Sequence, residues 1–403
     1  MNCGAGSRLQ KTKMLNGFKF NGIASGIKKN GARDLGLIYS EVPAAAAGVF
    51  TTNRVKAAPV LISQQRIRSG TAQAVLVNSG NANACTGDKG MKAACQLSTT
   101  LARRMKIKEE MILVSSTGVI GVPLPAERIQ GNIPILIGGL SPYKIGEFAQ
   151  SILTTDTFPK IVMKEVEIGN KQVEIWGVAK GAGMVMPNMA TMLAFVMSTA
   201  SVHPATLRNL LKDGVDQSFN RITVDGETST NDMVLMLANG KAGNSVLTEK
   251  SRELKKFRDY LFSLLFELSQ MVVRDGEGAT KLVEIRVEKA GSVNEARTAA
   301  FAVANSSLVK TAFYGEEVNW GRIMATLGRC GVAIDPGKVD ISFGKVKVVK
   351  NGVACGTEEK AQDVLKQKEF TIVISLNRGK GAFQVLTTDL TPQYVEINSS
   401  YRS

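Results

Sequence analysis

The sequence predicts an α/β protein, and three observations carry that expectation. Strand-like runs alternate with helical ones through the first half of the chain. A long stretch over residues 252–273 repeats its apolar residues at helical spacing, and from about residue 282 the strand patterns return. In order, Gly17-Phe-Lys-Phe-Asn-Gly-Ile-Ala reads as the first strand, behind a short basic tail expected to lack structure. Residues 73–79 form a short buried strand running into the glycine loop Ser79-Gly-Asn-Ala-Asn-Ala-Cys85-Thr-Gly, and a helix of small and apolar residues follows from Lys89 to Met105. Ile112-Leu-Val-Ser-Ser-Thr117-Gly118-Val-Ile-Gly121 repeats the strand-to-loop unit.

Residues 161–178 alternate like a half-buried strand, with Val166, Ile168, Val173 and Ile175 inward. Leu193-Ala-Phe-Val-Met197 is a buried strand, and a helix starts at Pro204, a residue suited to a first helical position. The amphipathic helix carries Leu254, Phe257, Leu261, Leu264, Leu265, Leu268 and Met271 on one face. Beyond a boundary placed near 280 come strand patterns at 282–287, 341–349, 370–376 and 382–387, with a helix near 297–311. The last residues, Tyr394-Val-Glu-Ile-Asn398-Ser-Ser-Tyr401-Arg-Ser403, alternate as a strand would, which suggests a docked terminus.

At 403 residues, 44% apolar and 21% charged, the chain has the composition of an ordinary globular protein of two or three domains. Five scattered cysteines without a CxxC pair, beside one histidine, exclude a Cys/His zinc site and fit reduced thiols in the cytoplasm, the expected location. Gly181 to Leu207 is uncharged and long enough to span a bilayer, but Pro187, Asn188, His203 and Pro204 argue against that. Residues 1–190 hold 23 basic and 11 acidic residues, a net of +12, against +3 for the remainder. The positive charges are scattered singly without interleaved aromatics, so a field drawing in anionic metabolites explains them without nucleic acid.

The informative chemistry lies in Lys180-Gly-Ala-Gly-Met-Val-Met-Pro-Asn-Met-Ala190-Thr191. With His203 the only histidine, a Ser-His or Cys-His pair has one possible base. An N-terminal threonine needs none, because its own α-amine, of reference pKa about 7.7–8.0, accepts the proton. The Ala190-Thr191 bond is therefore the expected place of a self-cleavage. Lys180-Gly-Ala-Gly fits neither GxxxxGK[ST] nor GxGxxG, and Lys180 reads better as a contact to a carboxylate or amide oxygen. Thr117 and Gly118 offer a hydroxyl and an amide to an oxyanion, or else merely end a strand. Asp225-Gly-Glu227-Thr-Ser-Thr-Asn231-Asp232 lacks the calcium-loop pattern and reads as a polar turn beside a pocket. Glu277, between glycines, could hold an ammonium or a proton, or lie in a solvated turn.

In order and spacing these motifs resemble the ornithine acetyltransferase family (ArgJ). The resemblance rests on Gly22-Ile-Ala-Ser-Gly-Ile-Lys, Ala47-Gly-Val-Phe-Thr-Thr-Asn53, Val77-Asn-Ser-Gly-Asn-Ala-Asn-Ala-Cys-Thr-Gly87 and Ser116-Thr-Gly-Val-Ile-Gly121. It continues through Thr154-Thr-Asp-Thr157, Lys180-Gly-Ala-Gly-Met, Met189-Ala-Thr-Met-Leu193, Asp225 to Asp232, Asn319-Trp-Gly-Arg322 and the terminal Asn-x-x-Tyr-Arg. It implies a layered α/β sandwich over residues 1–280 with a smaller C-terminal α/β domain over 281–403. It also implies cleavage into an α chain (1–190) and a β chain from 191, paired as α2β2.

The implied reaction is ping-pong: Thr191 takes acetyl from N2-acetylornithine and passes it to glutamate. Thr117 and Gly118 match the oxyanion hole, and Thr154, Lys180, Thr191, Glu277, Asn398 and Ser403 match substrate contacts. No cofactor or metal is implied, with acetyl-CoA a further substrate where the enzyme is bifunctional. A related N-terminal-nucleophile amidase or aminopeptidase would share the nucleophile but pass the acyl group to water. Ser403 stands where threonine is usual in the family, and Ser400 where aspartate is common.

Overall fold

The computed structural model of the chain describes residues 13–186 and 192–400. Its first part runs β1 (Phe18–Ile23), β2 (Leu35–Phe50), α1 (Ala58–Arg66), β3 (Thr71–Asn81), α2 (Gly87–Met105), β4 (Ile112–Val119), α3 (Ala126–Gly138) and α4 (Ile145–Ser151). It continues with β5 (Lys160–Ile168), β6 (Lys171–Lys180), β7 (Leu193–Ser198), α5 (Pro204–Asp216), β8 (Met233–Ala238) and α6 (Leu254–Arg274). The strands form one sheet in the order β4-β3-β2-β8-β7-β6-β5, with β1 also paired to β2.

The pleat sorts their side chains into layers. Ile38, Val75, Val77 and Leu113 share a core with Trp176, Phe195, Met197, Leu235 and Leu237, from the opposite half of the same sheet. Their alternating neighbours face the other way. Leu37, Ala74, Leu76 and Val114 pack on Leu97 and Leu101 of α2 and on Ile129 and Ile133 of α3. Ala194, Val196, Val234 and Met236 pack on α5 and α6. The sheet thus folds onto itself about β2, whose pairing with β3 is interrupted between Tyr39 and Ala44, and gives helix–strand–strand–helix layering. This is the expected layered sandwich. The helices fall largely where apolar spacing puts them: Phe257, Leu261, Leu264, Leu265 and Leu268 are buried along α6, each contributing about 1.5–3 kcal/mol by leaving water.

A second sheet, in the order β12-β11-β10-β13-β9-β14, has its own core. Its elements are β9 (Leu282–Ala290), α7 (Val293–Ala304), α8 (Ser307–Tyr314), α9 (Trp320–Arg329), β10 (Asp340–Phe343), β11 (Val346–Lys350), β12 (Val353–Ala354), α10 (Glu358–Leu365), β13 (Glu369–Ser375) and β14 (Gly381–Thr388), followed by α11 (Pro392–Ser400).

Four expectations need correcting. The stretch 161–178 is not one strand but a hairpin turning at Gly169-Asn170, although Val166, Ile168, Val173 and Ile175 are all buried as expected. The stretch 341–349 likewise turns at Gly344, between β10 and β11. The helix near 297–311 is two helices, broken at Asn305-Ser306, where Ser306 stands at the N-cap of α8. The C-terminal segment is a helix over Pro392–Ser400, not a strand. A short alternating run fits either period, and Pro392, at the first helical position, is the better signal. Among the described residues no helix is long and apolar enough to cross a membrane.

Candidate active site

One cleft gathers Thr117, Gly118, Thr154, Lys180, Glu277 and Asn398, together with Ala82, Ile120, Thr155, Gly183, Met184 and Ser229 to Asn231, around about 550 Å3 of space that includes its open mouth. It lies where several strands end on one side of the first sheet. Thr117 and Gly118 close β4, which runs parallel to β3 with Ser79 beside Thr117 and Gly80 beside Gly118. At Gly118 φ is +126°, and a Cβ there would sit 2.4 Å from the carbonyl carbon of Gly80. Only glycine fits that backbone and that approach.

Lys180 ends β6, paired across to Leu193, the first residue of β7. Its ammonium is buried and donates to Thr154 Oγ1 at 2.9 Å. Burial pushes its pKa down, the Lys160 charge pushes the same way, and Asp156, Asp232 and Glu277 oppose them. Glu277 follows α6 across a glycine. Its amide donates to the Ala182 carbonyl at 2.8 Å, and its carboxylate accepts from Asn398 Nδ2 at 2.8 Å. A Cβ on Gly183 would lie 2.2 Å from Glu277 Oε2, so the glycine loop is what lets this carboxylate lie against it. Asn398 comes from α11, one turn beyond Tyr394, whose hydroxyl donates to Asp225 at 3.2 Å.

Behind these side chains is a buried ion network that the sequence reading missed. Lys160 Nζ lies 2.7 Å from Asp156 and 2.5 Å from Asp275, and both pairs are essentially without exposure. Asp156 also accepts from the Gly181 amide at 2.7 Å and the Thr154 amide at 3.0 Å. Burial alone would raise its pKa, but the Lys160 and Lys180 charges and the hydrogen bonds overcome this and hold it below the ordinary carboxylate range. Asp275 accepts from the amide and hydroxyl of Thr157. The network fixes the Thr154 loop, the Lys180-Gly181 turn and the end of α6 to each other. Its signals were present: Asp156 and Lys160 stand four apart, and Asp275 sits two residues before Glu277.

Two further acids shape the loops. Asp225 accepts from the amides of Met184 (2.6 Å) and Val185 (2.8 Å), holding Met184 at φ +58°, a left-handed conformation that costs free energy. With its carboxylate engaged by amides, the Asp225 to Asp232 segment is a turn rather than a cation loop, and its Ser229, Thr230 and Asn231 line the cleft. Asn231 Nδ2 donates to the Ala82 and Ser116 carbonyls at 2.6 and 2.8 Å, joining that turn to β3 and β4. Asp232 is fully buried, accepts from the Met192 amide at 2.9 Å and is pushed well up by burial. Lys28, beside Thr154, donates to the Arg33 and Leu153 carbonyls and is lowered to about 8, chiefly by burial. Ala190, Thr191 and Ser403 lie outside the described residues.

The arrangement offers an amide and a hydroxyl at a strand end, a buried ammonium and a carboxylate across one cleft, groups of the kinds that stabilise an oxyanion and pair with the charges of an amino acid. The comparisons agree. The ArgJ family model matches residues 19–403. The chain is 50% identical over 389 residues to the arginine biosynthesis bifunctional protein ArgJ of Geobacter sulfurreducens, covering 96% of this chain and 99% of that protein. It is 51% identical over 391 residues to the Desulfotalea psychrophila protein of the same name, covering 96% and 100%. A crystal structure of the Bacillus halodurans bifunctional protein ArgJ, 38% identical, superposes with a TM-score of 0.50 over 51% of this chain and 98% of its own. The chain belongs to the ArgJ family and is an acyltransferase of arginine biosynthesis.

Proposed function

We propose that the chain cuts itself between Ala190 and Thr191, and that Thr191 then carries an acetyl group from N2-acetylornithine to glutamate. The observation that carries this reading is the meeting of Thr117, Gly118, Thr154, Lys180, Glu277 and Asn398 on one cleft. The α-amine freed by the cut takes the Thr191 hydroxyl proton as Oγ attacks the acetyl carbonyl. Thr117 and the Gly118 amide stabilise the oxyanion, a donor of this kind being worth about 2.7–4 kcal/mol. Collapse breaks the amide bond, returns the proton to the departing ornithine amine and leaves an acetyl-threonine ester. The amine of glutamate attacks that ester, N-acetylglutamate leaves and the Thr191 hydroxyl is restored. Lys180 and Glu277 supply the opposite charges that hold an amino acid's carboxylate and ammonium, with Thr154, Asn398 and Ser403 as further contacts.

The acetyl group arrives already activated, so the reading needs no cofactor or metal; acetyl-CoA is a second acetyl donor if this protein shares the two activities its relatives' names imply. The working form in this reading is a cytoplasmic α2β2 assembly, each half-molecule comprising a main unit of residues 1–280 and a smaller unit of 281–403. An intact-mass spectrum of the denatured protein tests the first step. Two chains matching 1–190 and 191–403 are expected, and Thr191→Ala is expected to leave a single chain without transfer. A single wild-type chain in an active, folded preparation would refute the maturation step. Acetate released at the rate of ornithine, with or without glutamate, would refute the transfer.

A further inference from the structure

The ends of β3 and β4 are tied to a third segment of the chain by one side chain. Asn231 stands two residues before β8, buried on the wall of the cleft. It lines that wall without offering a substrate a hydrogen. One of its amide hydrogens goes to the Ala82 carbonyl at 2.6 Å and the other to the Ser116 carbonyl at 2.8 Å. A primary amide has two N–H groups, and both are spent on backbone. Its Oδ1 accepts from the Thr230 hydroxyl at 2.6 Å, and its backbone amide donates to Ser229 Oγ at 3.1 Å.

The two carbonyls flank the backbone that carries Thr117 and Gly118. The Ser116 carbonyl and the Thr117 N–H belong to one planar peptide unit. Holding that oxygen therefore sets the plane from which the Thr117 side chain, and then the Gly118 amide, project. Ala82 lies two residues beyond Gly80, whose carbonyl carbon would be 2.4 Å from a Cβ on Gly118. The Ala82 amide donates in turn to the Val119 carbonyl at 2.9 Å, on the other flank of Gly118. Ser116 Oγ donates to Asn78 Oδ1 at 2.6 Å, and Asn78 Nδ2 to the Asn81 carbonyl at 2.8 Å, so a second asparagine braces the same two segments. Cohesion alone does not call for Asn231, because the ladder of backbone bonds already joins β3 to β4. We propose that Asn231 is a positioning residue for the oxyanion donors: its carboxamide clamps the Ala82 and Ser116 carbonyls and so fixes Thr117 and the Gly118 amide against the cleft. The proposal rests on the reading of Thr117 and Gly118 as those donors. A misplacement of about 1 Å in such groups can cost about 10²-fold in rate.

Acetylornithine-to-glutamate transfer, counted per cleaved chain, tests it in Asn231→Ala, Thr117→Val and the double variant. Asn231→Ala is expected to lower kcat about 10²-fold with KM for acetylornithine within about threefold of wild type, because the donors act in the transition state. Thr117→Val is expected to cost less in the Asn231→Ala background than alone, since the hydroxyl is already misplaced there. A residue serving only cohesion would lower the melting temperature and leave the two losses to multiply. A crystal structure of Asn231→Ala is expected to show the Ser116–Thr117 peptide turned and the Gly118 amide displaced. If alanine prevents folding, Asn231→Ser, which keeps one donor for one carbonyl, takes its place in each measurement. Thr117→Val without effect on kcat would count against the hydroxyl as an oxyanion donor. The clamp would then stand on the Gly118 amide, upheld by a lowered kcat and a displaced amide in Asn231→Ala. An unmoved peptide, or a kcat within about threefold of wild type in the folded variant, would overturn the proposal. So would losses that multiply, where Thr117→Val itself lowers kcat.

Discussion

Among the described residues, the end of the first sheet buries Lys160, Lys180, Asp232, Asp275 and the side chain of Asp156 close together, and the cleft opens beside them. The second sheet encloses Val283, Ile285, Ile341, Ile372, Ile374 and Val385 in a core that meets buried charge only at its margin, at Lys281, Lys310 and Asp389. Burying a charge costs several kcal/mol unless it is paired and fully hydrogen-bonded. A chain able to build one core without ions had no need of them for stability in the other. Their concentration beside the cleft marks where geometry, rather than cohesion, constrains the sequence.

The sharpest way to break this contrast is Lys160→Met. It leaves Asp156 and Asp275 buried without their shared cation, and a loss of about 3–5 kcal/mol of stability is expected. The matched change in the second core, Ile372→Val, is expected to cost only about 0.5–1.5 kcal/mol. Urea unfolding of both variants measures the difference. Equal losses would mean that the ion network is no more demanding than ordinary packing.

Thr117→Val separates geometry from cohesion within the first sheet. The side chain is buried at the end of β4, and valine nearly preserves its shape. If its hydroxyl serves an oxyanion, kcat is expected to fall by about 10²–10³, equivalent to about 2.7–4 kcal/mol in the barrier, while the melting temperature moves little. A stable variant with unchanged kcat would leave the oxyanion to the Gly118 amide.

The two regions also respond to opposite ends of the pH scale. Asp156 is held below its ordinary pKa, so the stability it contributes is complete above the unfolded value, about 3.9, and is lost as pH falls below that. Lys310 Nζ donates to the Thr388 carbonyl at 2.7 Å without a direct carboxylate partner among the described residues, and burial lowers it from 10.5 to about 7. Below pH 7 its protonation penalty is therefore complete. Between about 7 and 10.5 the unfolded chain holds a proton that the folded chain does not, and stability rises by up to about 1.4 kcal/mol per pH unit. Lys310→Met is expected to flatten that alkaline rise and leave the acid limb unchanged in urea titrations across pH. An alkaline rise that persists in the variant would assign it to another group.

Much of this was legible in the sequence because local pattern and tertiary fate coincide. The α6 stripe, the buried β7 run and the glycine loops at Gly118 and Gly183 are each dictated by a few neighbouring residues. What was hidden depended on partners distant in the chain. Asp275 meets Lys160 across 115 positions, so neither residue alone announces an ion pair. Inward residues on both arms of the hairpin read as one alternating run, which hides the turn at Gly169. The last helix imitates a strand because Tyr394 and Asn398, one turn apart, also occupy alternate positions. The helix meets the cleft through Asn398, which donates to Glu277 across 121 positions, a contact no local pattern announces.

The smallest effect concerns the seam between the regions. Arg274, the last residue of α6, reaches Glu369 at the start of β13 through two hydrogen bonds of 2.7 and 3.1 Å. The geometry is bidentate, yet the two side chains are 38% and 53% exposed, so water and salt screen the attraction. Arg274→Ala is expected to cost no more than about 1 kcal/mol, less still at high salt, with kcat unchanged. The seam has a more buried fastening beneath: Asp389 accepts from the amide of Thr280 at 2.9 Å and from its hydroxyl. If Arg274→Ala instead lowered kcat while stability held, the surface pair would be setting the position of Glu277, three residues further on. Exposed charge would then constrain the cleft as buried charge does, and the contrast between the two sheets would need to be redrawn around the seam.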